Sequence, residues 1–314
     1  MISTQELFRL IRGPIAVAEP LGPYTGLRIG GTADFFIKPR DRGDLCRAFG
    51  YFKGRGFPFF ILGRGSRLLV HEGGFRGTVI ATHFLDRVVI DGDMVEADAG
   101  VSLSTLAERT SRASLDGIGN FGAGAGTVGG ALCRIDGTPG RMSGECLEWV
   151  DVLRNGRVRR LKNGELQAGI SSRGIGADVI LGAGFRLRRF SRRNRAHHAV
   201  NADDGHQADQ AETGRPTALS GRVFMDPPSM PGVAGVRAGE LLDACGLRGE
   251  RRGGASFSES ESNRIVNHGG ATSEDVLELV SLAREAVQRR FGVDLELGLV
   301  LVGYNKSGNH GQFS

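Results

Sequence analysis

Hydrophobic and polar positions along the chain fall into short runs whose period shifts between strand-like and helix-like spacing. Ala33-Asp34-Phe35-Phe36-Ile37 predicts a strand, the amphipathic stretch from Asp41 to Phe52 a helix, and the apolar run Phe57 to Leu62 a second strand that stops at Gly63-Arg64-Gly65-Ser66. Thr78 to Ala81 and Arg87 to Ile90 read as short strands. Asp91-Gly92 turns the latter into Met94-Val95-Glu96-Ala97, and Asn155-Gly156 supplies another hairpin turn after Trp149 to Leu153. Helices are predicted from Ser102 to Ser111, from Ala238 to Cys245 with Gly246 ending it, and from Ser273 to Phe291. The last opens on a cap and acidic first turn, Ser273-Glu274-Asp275, and keeps Val276, Leu277, Val280, Ala283 and Val287 at helical spacing. Val179 to Leu187 reads as a strand whose glycines mark bulges or close approaches, and Leu295 to Val302 as the final strand. Gly117 to Gly130 is too rich in glycine for a helix interior and suits backbone packed against a ligand.

The pattern lapses between Arg192 and Ser220, where large apolar residues nearly vanish. The expected divisions are therefore 1–80, 81–190, a polar linker at 191–220, a domain at 221–303 and a frayed tail at 304–314. Hydrophobic residues make up 40% of the 314, too many for a disordered chain, and no stretch approaches the ~18 apolar residues of a membrane span. Glycine is the anomaly: the 50 glycines are about twice the usual share, with no G-X-Y period. Lys+Arg 40 against Asp+Glu 35 leaves a net charge of +5. Its densest runs, Arg186 to Arg195 and Arg248 to Arg252, lack the interleaved aromatics of a single-strand binder, so they read as solvated surface and nucleic acid is not an expected partner. An anionic small molecule fits the surplus better. Cys46, Cys133, Cys146 and Cys245 show no CxxC spacing and read as buried, inert thiols, with no metal site. With no signal-peptide pattern at Met1 to Glu6, a reducing cytoplasm is the expected compartment.

The candidate chemistry lies in two glycine-rich loops, Gly63-Arg64-Gly65-Ser66-Arg67-Leu68-Leu69 after a strand and Gly126-Thr127-Val128-Gly129-Gly130-Ala131. A dinucleotide pyrophosphate needs several backbone N–H groups at close range, and glycine permits both the approach and a positive φ. In order and spacing the loops resemble the flavin-binding loops of the UDP-N-acetylenolpyruvoylglucosamine reductases, also called UDP-N-acetylmuramate dehydrogenases, which act in bacterial peptidoglycan-precursor synthesis. Arg28-Ile29-Gly30-Gly31-Thr32-Ala33-Asp34, Ala238 to Asp243, Gly253-Gly254-Ala255, Ser258-Glu259, Asn263, Ile265-Val266-Asn267 and Phe291-Gly292-Val293 extend the resemblance over nearly the whole chain.

The resemblance implies an α+β fold, with a two-part FAD-binding lobe of the vanillyl-alcohol-oxidase/PCMH type followed by a C-terminal α+β substrate lobe. It places Gly63, Arg64, Gly65, Ser66, Arg67, Gly126, Thr127, Val128 and Gly129 at the FAD and Asn263 at the substrate. The implied reaction has NADPH reduce FAD, which then passes hydride to the enolpyruvyl double bond of a UDP-sugar. A serine protonates the resulting carbanion or enol, helped by an arginine and a glutamate. At those three positions this chain has Arg222, Ser171 and Gly298. Arg222 falls in Gly221-Arg222-Val223-Phe224-Met225-Asp226-Pro227, Ser171 follows Ile170 after Glu165-Leu166, and Gly298 ends Leu295-Glu296-Leu297-Gly298. Ile135-Asp136-Gly137-Thr138-Pro139 and Gly124-Ala125 also depart from the family pattern. The preferred reading is a retained fold with lost catalysis, a pseudoenzyme acting as a ligand sensor or a partner of cell-wall enzymes. The competing reading is an active FAD- and NADPH-dependent reductase whose groups have moved to Arg173, Glu296 or His268. A redox protein with another substrate is the third.

Overall fold

The computed structural model describes residues 4–118, 126–133, 146–162, 165, 178–189, 218–227 and 235–304. The first lobe runs α1 (Thr4–Leu10), β1 (Ile15–Pro20), β2 (Thr32–Ile37), α2 (Arg42–Gly54), β3 (Phe59–Leu62), β4 (Leu68–Val70) and β5 (Phe75–Ala81). Its four-stranded sheet has the order β1-β2-β5-β3, with β1 antiparallel to β2 and the other pairs parallel. Parallel pairing sets Ile37 and Ile61 beside Ile80, so the chain leaves β2, β5 and β3 along one edge.

The second lobe holds β6 (Val88–Asp91), β7 (Met94–Asp98), α3 (Leu103–Arg112), β8 (Leu115–Asp116), α4 (Val128–Leu132), β9 (Leu147–Arg154), β10 (Arg157–Lys162), β11 (Val179–Arg186) and β12 (Arg188–Arg189). Its five-stranded antiparallel sheet is ordered β10-β9-β11-β7-β6. Gly92, Asn155 and Gly156, all at positive φ, close the two expected hairpins. The C-terminal lobe comprises β13 (Ala218–Leu219), α5 (Ala238–Ala244), β14 (Arg251–Arg252), β15 (Ala255–Phe257), β16 (Ile265–Asn267), α6 (Ser273–Phe291) and β17 (Val300–Val302). β13-β16-β15-β14 make a small antiparallel sheet. Val276, Leu279, Val280, Ala283 and Val287 of α6 pack with Phe224, Phe257 and Leu295 in the core of this lobe. β17 then pairs in parallel with β4, tying the end of the chain to the first lobe.

Helix α2 joins the first two lobes. Its cap is the Asp41 side chain, which accepts from the Asp44 N–H, and its buried face carries Leu45, Ala48, Phe49 and Phe52. These pack with Ile37 and Ile80 of the first sheet and with Leu153, Val179 and Leu181 of the second. Arg42 donates to Asp98 at 2.8 Å and to Asp151 at 3.1 Å. Gly182 makes the reach possible, since a Cβ there would lie 2.3 Å from the Arg42 guanidinium. On the same strand, a Cβ on Gly184 would lie 2.3 Å from the Trp149 ring, whose face also carries Arg160 at 3.5 Å. The expected glycine bulges are present, with register shifts between Ile180 and Gly182 and between Gly184 and Phe185.

Several expectations need correction. Val128 to Leu132 is helical despite its glycines, because Thr127 caps it and Val128 and Leu132 are fully buried. Ala218, Leu219 and Ser220 belong to the C-terminal core rather than to the linker, where hydrogen bonding to β16 outweighs their polar sequence context. Residues 191–217 of that linker and 305–314 of the tail lie outside the described residues. Tyr304 is packed, not frayed: its ring meets His71 edge-on and burial pushes its hydroxyl up to about 12. Of the final strand only Val300–Val302 is regular, with Leu297 in an isolated bridge to Phe224. Among the thiols only Cys146 is buried and Cys133 is exposed. No helix among the described residues is long and apolar enough to cross a membrane.

Gly184→Ala is expected to displace Trp149 from between Gly184 and Arg160. The loss should be about 1 to 3 kcal/mol in urea denaturation, the range for overpacking a filled core. Unchanged stability would show that Trp149 can move away freely.

Candidate functional site

The first glycine loop follows β3 at the edge where the parallel strands end. Gly65 has φ +64°, and its bare Cα faces the Tyr24 carbonyl so closely that a Cβ would sit 2.0 Å from the oxygen. The Gly65 carbonyl accepts from Leu68 N–H and Gly26 N–H, both at 3.1 Å, which makes the turn rigid. Among the described residues, no backbone carbonyl or side chain accepts from the N–H groups of Gly63, Arg64, Gly65 or Ser66. Four consecutive donors around a left-handed glycine have the make-up of an anion-binding nest.

The second loop meets the first through Gly63, where a Cβ would lie 2.7 Å from Thr127 Oγ1. Thr127 caps α4 by accepting from the Gly130 N–H. Here the structure changes the expected roles. Val128 N–H donates to Val101 O at 2.9 Å and Gly129 N–H to Ala99 O at 2.8 Å, and a Cβ on Gly129 would press Ala99 at 3.0 Å. Val128 and Gly129 therefore anchor the helix to the end of β7, and among the described residues no acceptor takes the N–H groups of Gly126 and Thr127. The pyrophosphate chemistry of a dinucleotide fits these donors, so the loop residues present suit FAD.

The C-terminal lobe closes on the same loop. Gly221 N–H donates to Ser66 O at 2.5 Å, Val300 N–H donates to Arg67 O at 2.8 Å, and a Cβ on Gly221 would lie 2.8 Å from Arg67 Cγ. Beside it, Arg222 stands 3.6 Å from the Asp226 carboxylate, which also accepts from the Ala238 N–H at 2.8 Å. Asn263, expected at the substrate, is 4% exposed and clamps Phe224: it accepts from the Phe224 N–H at 2.8 Å and donates to the Phe224 carbonyl at 3.0 Å. A carboxamide bound at both ends to backbone positions the 222–225 segment.

The positions of the expected serine and glutamate do come together. Gly298 N–H donates to Val223 O at 2.6 Å, and a Cβ on Gly298 would lie 2.8 Å from Arg222 O and 3.1 Å from Val223 O. Gly298 is buried, whereas Glu296, its suggested substitute, is exposed. His268 is engaged by Ser256, Oγ to Nε2 2.8 Å. Ser171, Ile170, Arg173, Gly124, Ala125 and the stretch from Ile135 to Pro139 lie outside the described residues.

Sequence comparison agrees with this geometry. Residues 33–162 match an FAD-binding domain model, and residues 213–302 match the C-terminal domain of UDP-N-acetylenolpyruvoylglucosamine reductase. A UDP-N-acetylenolpyruvoylglucosamine reductase from Chloroherpeton thalassium is 35% identical over 309 residues, 98% of this chain and 99% of its own. The chain belongs to the UDP-N-acetylenolpyruvoylglucosamine reductase family. A second reductase of the family, from Pelobacter propionicus, is 37% identical over 93% of this chain and 97% of its own. The crystal structure of the reductase from Thermus caldophilus superimposes with a TM-score of 0.69 at 29% identity, covering 93% of this chain and 99% of that one. The fold is thus the α+β reductase fold, with FAD as its cofactor and NADPH as the reductant of the family.

Sequence reasoning found the first loop and both substituted positions because each interrupts a recognisable motif. The anchoring by Ala99 and Val101 escaped it, since that pairing depends on chain segments brought together only by folding.

Gly65→Ala tests the loop against an internal control. Gly56 shares its φ, +66°, but a Cβ there would meet nothing within 4 Å. Gly56→Ala should cost about 1 kcal/mol of stability and leave FAD retention intact, and Gly65→Ala should cost about 2 to 3 kcal/mol and release FAD. Equal effects in denaturation and flavin fluorescence would refute the contact with Tyr24.

Proposed function

We propose that this chain is a flavin-binding, non-catalytic homologue of the reductase, a pseudoenzyme that senses a UDP-sugar nucleotide for the peptidoglycan-precursor route. The packing of Gly298 against the 222–224 backbone carries the reading. The resemblance assigns proton donation to position 222 and a carboxyl group to position 298. A guanidinium is a far weaker acid than a catalytic proton donor needs to be near neutral pH, so arginine at position 222 is a poor source of a proton for a carbanion. The Asp226 carboxylate stands 3.6 Å from the Arg222 guanidinium as an ion pair. Gly298 has no acid to give, and the backbone has closed over the space in which a side chain would begin.

The ligand-holding parts are in better order. The N–H groups of Gly63 to Ser66, with those of Gly126 and Thr127, would hold the FAD diphosphate, and the Gly63–Thr127 contact keeps the two loops in register. Bound there, FAD supplies hydride-transfer chemistry. What positions 222 and 298 lack is a group suited to complete the reduction by delivering a proton to the adjacent carbon.

The purified protein is expected to retain or take up FAD, and to oxidise no NADPH in response to the UDP-enolpyruvyl sugar. Arg222→Ser alone should not restore turnover while Gly298 stays. Substrate-dependent NADPH oxidation by the wild-type protein would overturn the reading, and so would substantial turnover by the single variant.

A further inference from the structure

Two segments singled out in the sequence, Arg28-Ile29-Gly30-Gly31 and Ile265-Val266-Asn267, meet where the first lobe touches the C-terminal one, and the proposed function uses neither. Leu27 and Ile29 are 1% and 4% exposed and lie in the core of the C-terminal lobe with Phe257 and Ile265, although they belong to the first lobe in sequence. Arg28 between them is turned out to solvent with φ +55°, a left-handed conformation that a residue with a Cβ keeps only where its neighbours fix the backbone. Residues 24–29 thus form a strap whose side chains are set by the C-terminal lobe.

The backbone of the same strap holds the Gly63–Ser66 turn. Gly26 N–H donates to Gly65 O at 3.1 Å, and the Tyr24 carbonyl fills the place of a Gly65 Cβ, which would lie 2.0 Å from its oxygen. The strap is itself confined: a Cβ on Gly26 would lie 2.5 Å from Leu219 O and 3.2 Å from Ser66 O. From the C-terminal lobe, Asn267 reaches it with a side chain. At the end of β16, between Ala218 and Ala255, Asn267 donates from Nδ2 to Leu27 O at 2.8 Å. Its Oδ1 accepts from Gly269 N–H at 2.8 Å and Ala271 N–H at 3.2 Å, so the amide is oriented by its own loop and a flip would lose all three bonds. Two further contacts from that lobe to the turn, Gly221 N–H to Ser66 O and Val300 N–H to Arg67 O, are made by backbone.

We propose that Asn267 is a positioning residue for cofactor binding: through Leu27 and Gly26 it holds the Gly65 turn in its ligand-ready form, so that the C-terminal lobe sets the affinity of the first lobe for FAD. The proposal rests on the flavin reading. A turn fixed before the ligand arrives loses little further freedom on binding, whereas a loosened one binds in proportion to the fraction already ordered. Coupling of this kind is reciprocal, so bound FAD should in turn tighten the strap against β16.

Asn267→Ala in the full chain removes the tie to Leu27. Glu72→Ala is the control, because Glu72 also joins the two lobes but does so at the start of α6, accepting from Ser273 N–H at 2.5 Å and from Ser273 Oγ at 2.6 Å. The readouts are FAD affinity and hydrogen–deuterium exchange of residues 63–68 without ligand. Asn267→Ala should weaken FAD about tenfold, the scale of one buried hydrogen bond, and speed exchange at 63–68. Glu72→Ala should lower stability to urea and leave both readouts at their wild-type values. Equal effects of the two variants would show that Asn267 acts only by docking the lobes and would overturn the proposal. So would a wild-type value of either readout in Asn267→Ala. Should Asn267→Ala fail to fold, Gly26→Ala decides, since its added Cβ presses the strap from Leu219 and Ser66 while Asn267 stays: unchanged FAD affinity there would overturn the proposal, and a loss would uphold it. Faster exchange in Asn267→Ala with no FAD binding by wild type would uphold the positioning of the turn and overturn the flavin reading.

Discussion

The Arg42 guanidinium, held between Asp98 and Asp151, is the charged contact that sets helix α2 of the first lobe on the sheet of the second. Without Arg42, Asp98, 12% exposed, would be left charged in a poorly solvated layer, whereas Asp151, 7% exposed, would keep Arg160 at 2.8 Å. The pairing also reaches the site by a short covalent path. Asp98 ends β7, and the next residue, Ala99, receives the Gly129 N–H and abuts its bare Cα. Through α4 that fixes Thr127, and Thr127 fills the space beside Gly63. A charged contact between helix and sheet thereby sets how two distant loops face each other.

Glycine serves two purposes along that path. At Gly182 and Gly184 it leaves room for Arg42 and Trp149, and at Gly63 and Gly129 it lets backbone approach a neighbouring segment. Gly65, beside that path, instead has a left-handed φ that side chains resist.

Much of this was legible beforehand. The periodic runs located α2, α3, α5 and α6 to within about two residues of their ends, because each couples an apolar stripe to a cap or a terminating glycine. The hairpins were legible from Asp91-Gly92 and Asn155-Gly156. What the pattern hid was long-range. β1 shows little alternation and is mostly exposed, so its pairing with β2 rests on register and not on burial. The small strands β13 to β16 are two or three residues long, too short to carry a period. Asn263 looked like a ligand residue because an asparagine in a family motif suggests recognition, and only the fold brings Phe224 to both ends of its amide.

The contact at Gly298 has an evolutionary consequence. With the 222–224 backbone within hydrogen-bonding distance of residue 298, an acidic side chain there needs more than a single substitution. A codon change to glutamate would arrive in a space already taken by carbonyl oxygens, and selection would meet the steric cost before any chemical gain. Any side chain at position 298 therefore depends on prior movement of the 222–224 backbone, so the two changes cannot be made independently.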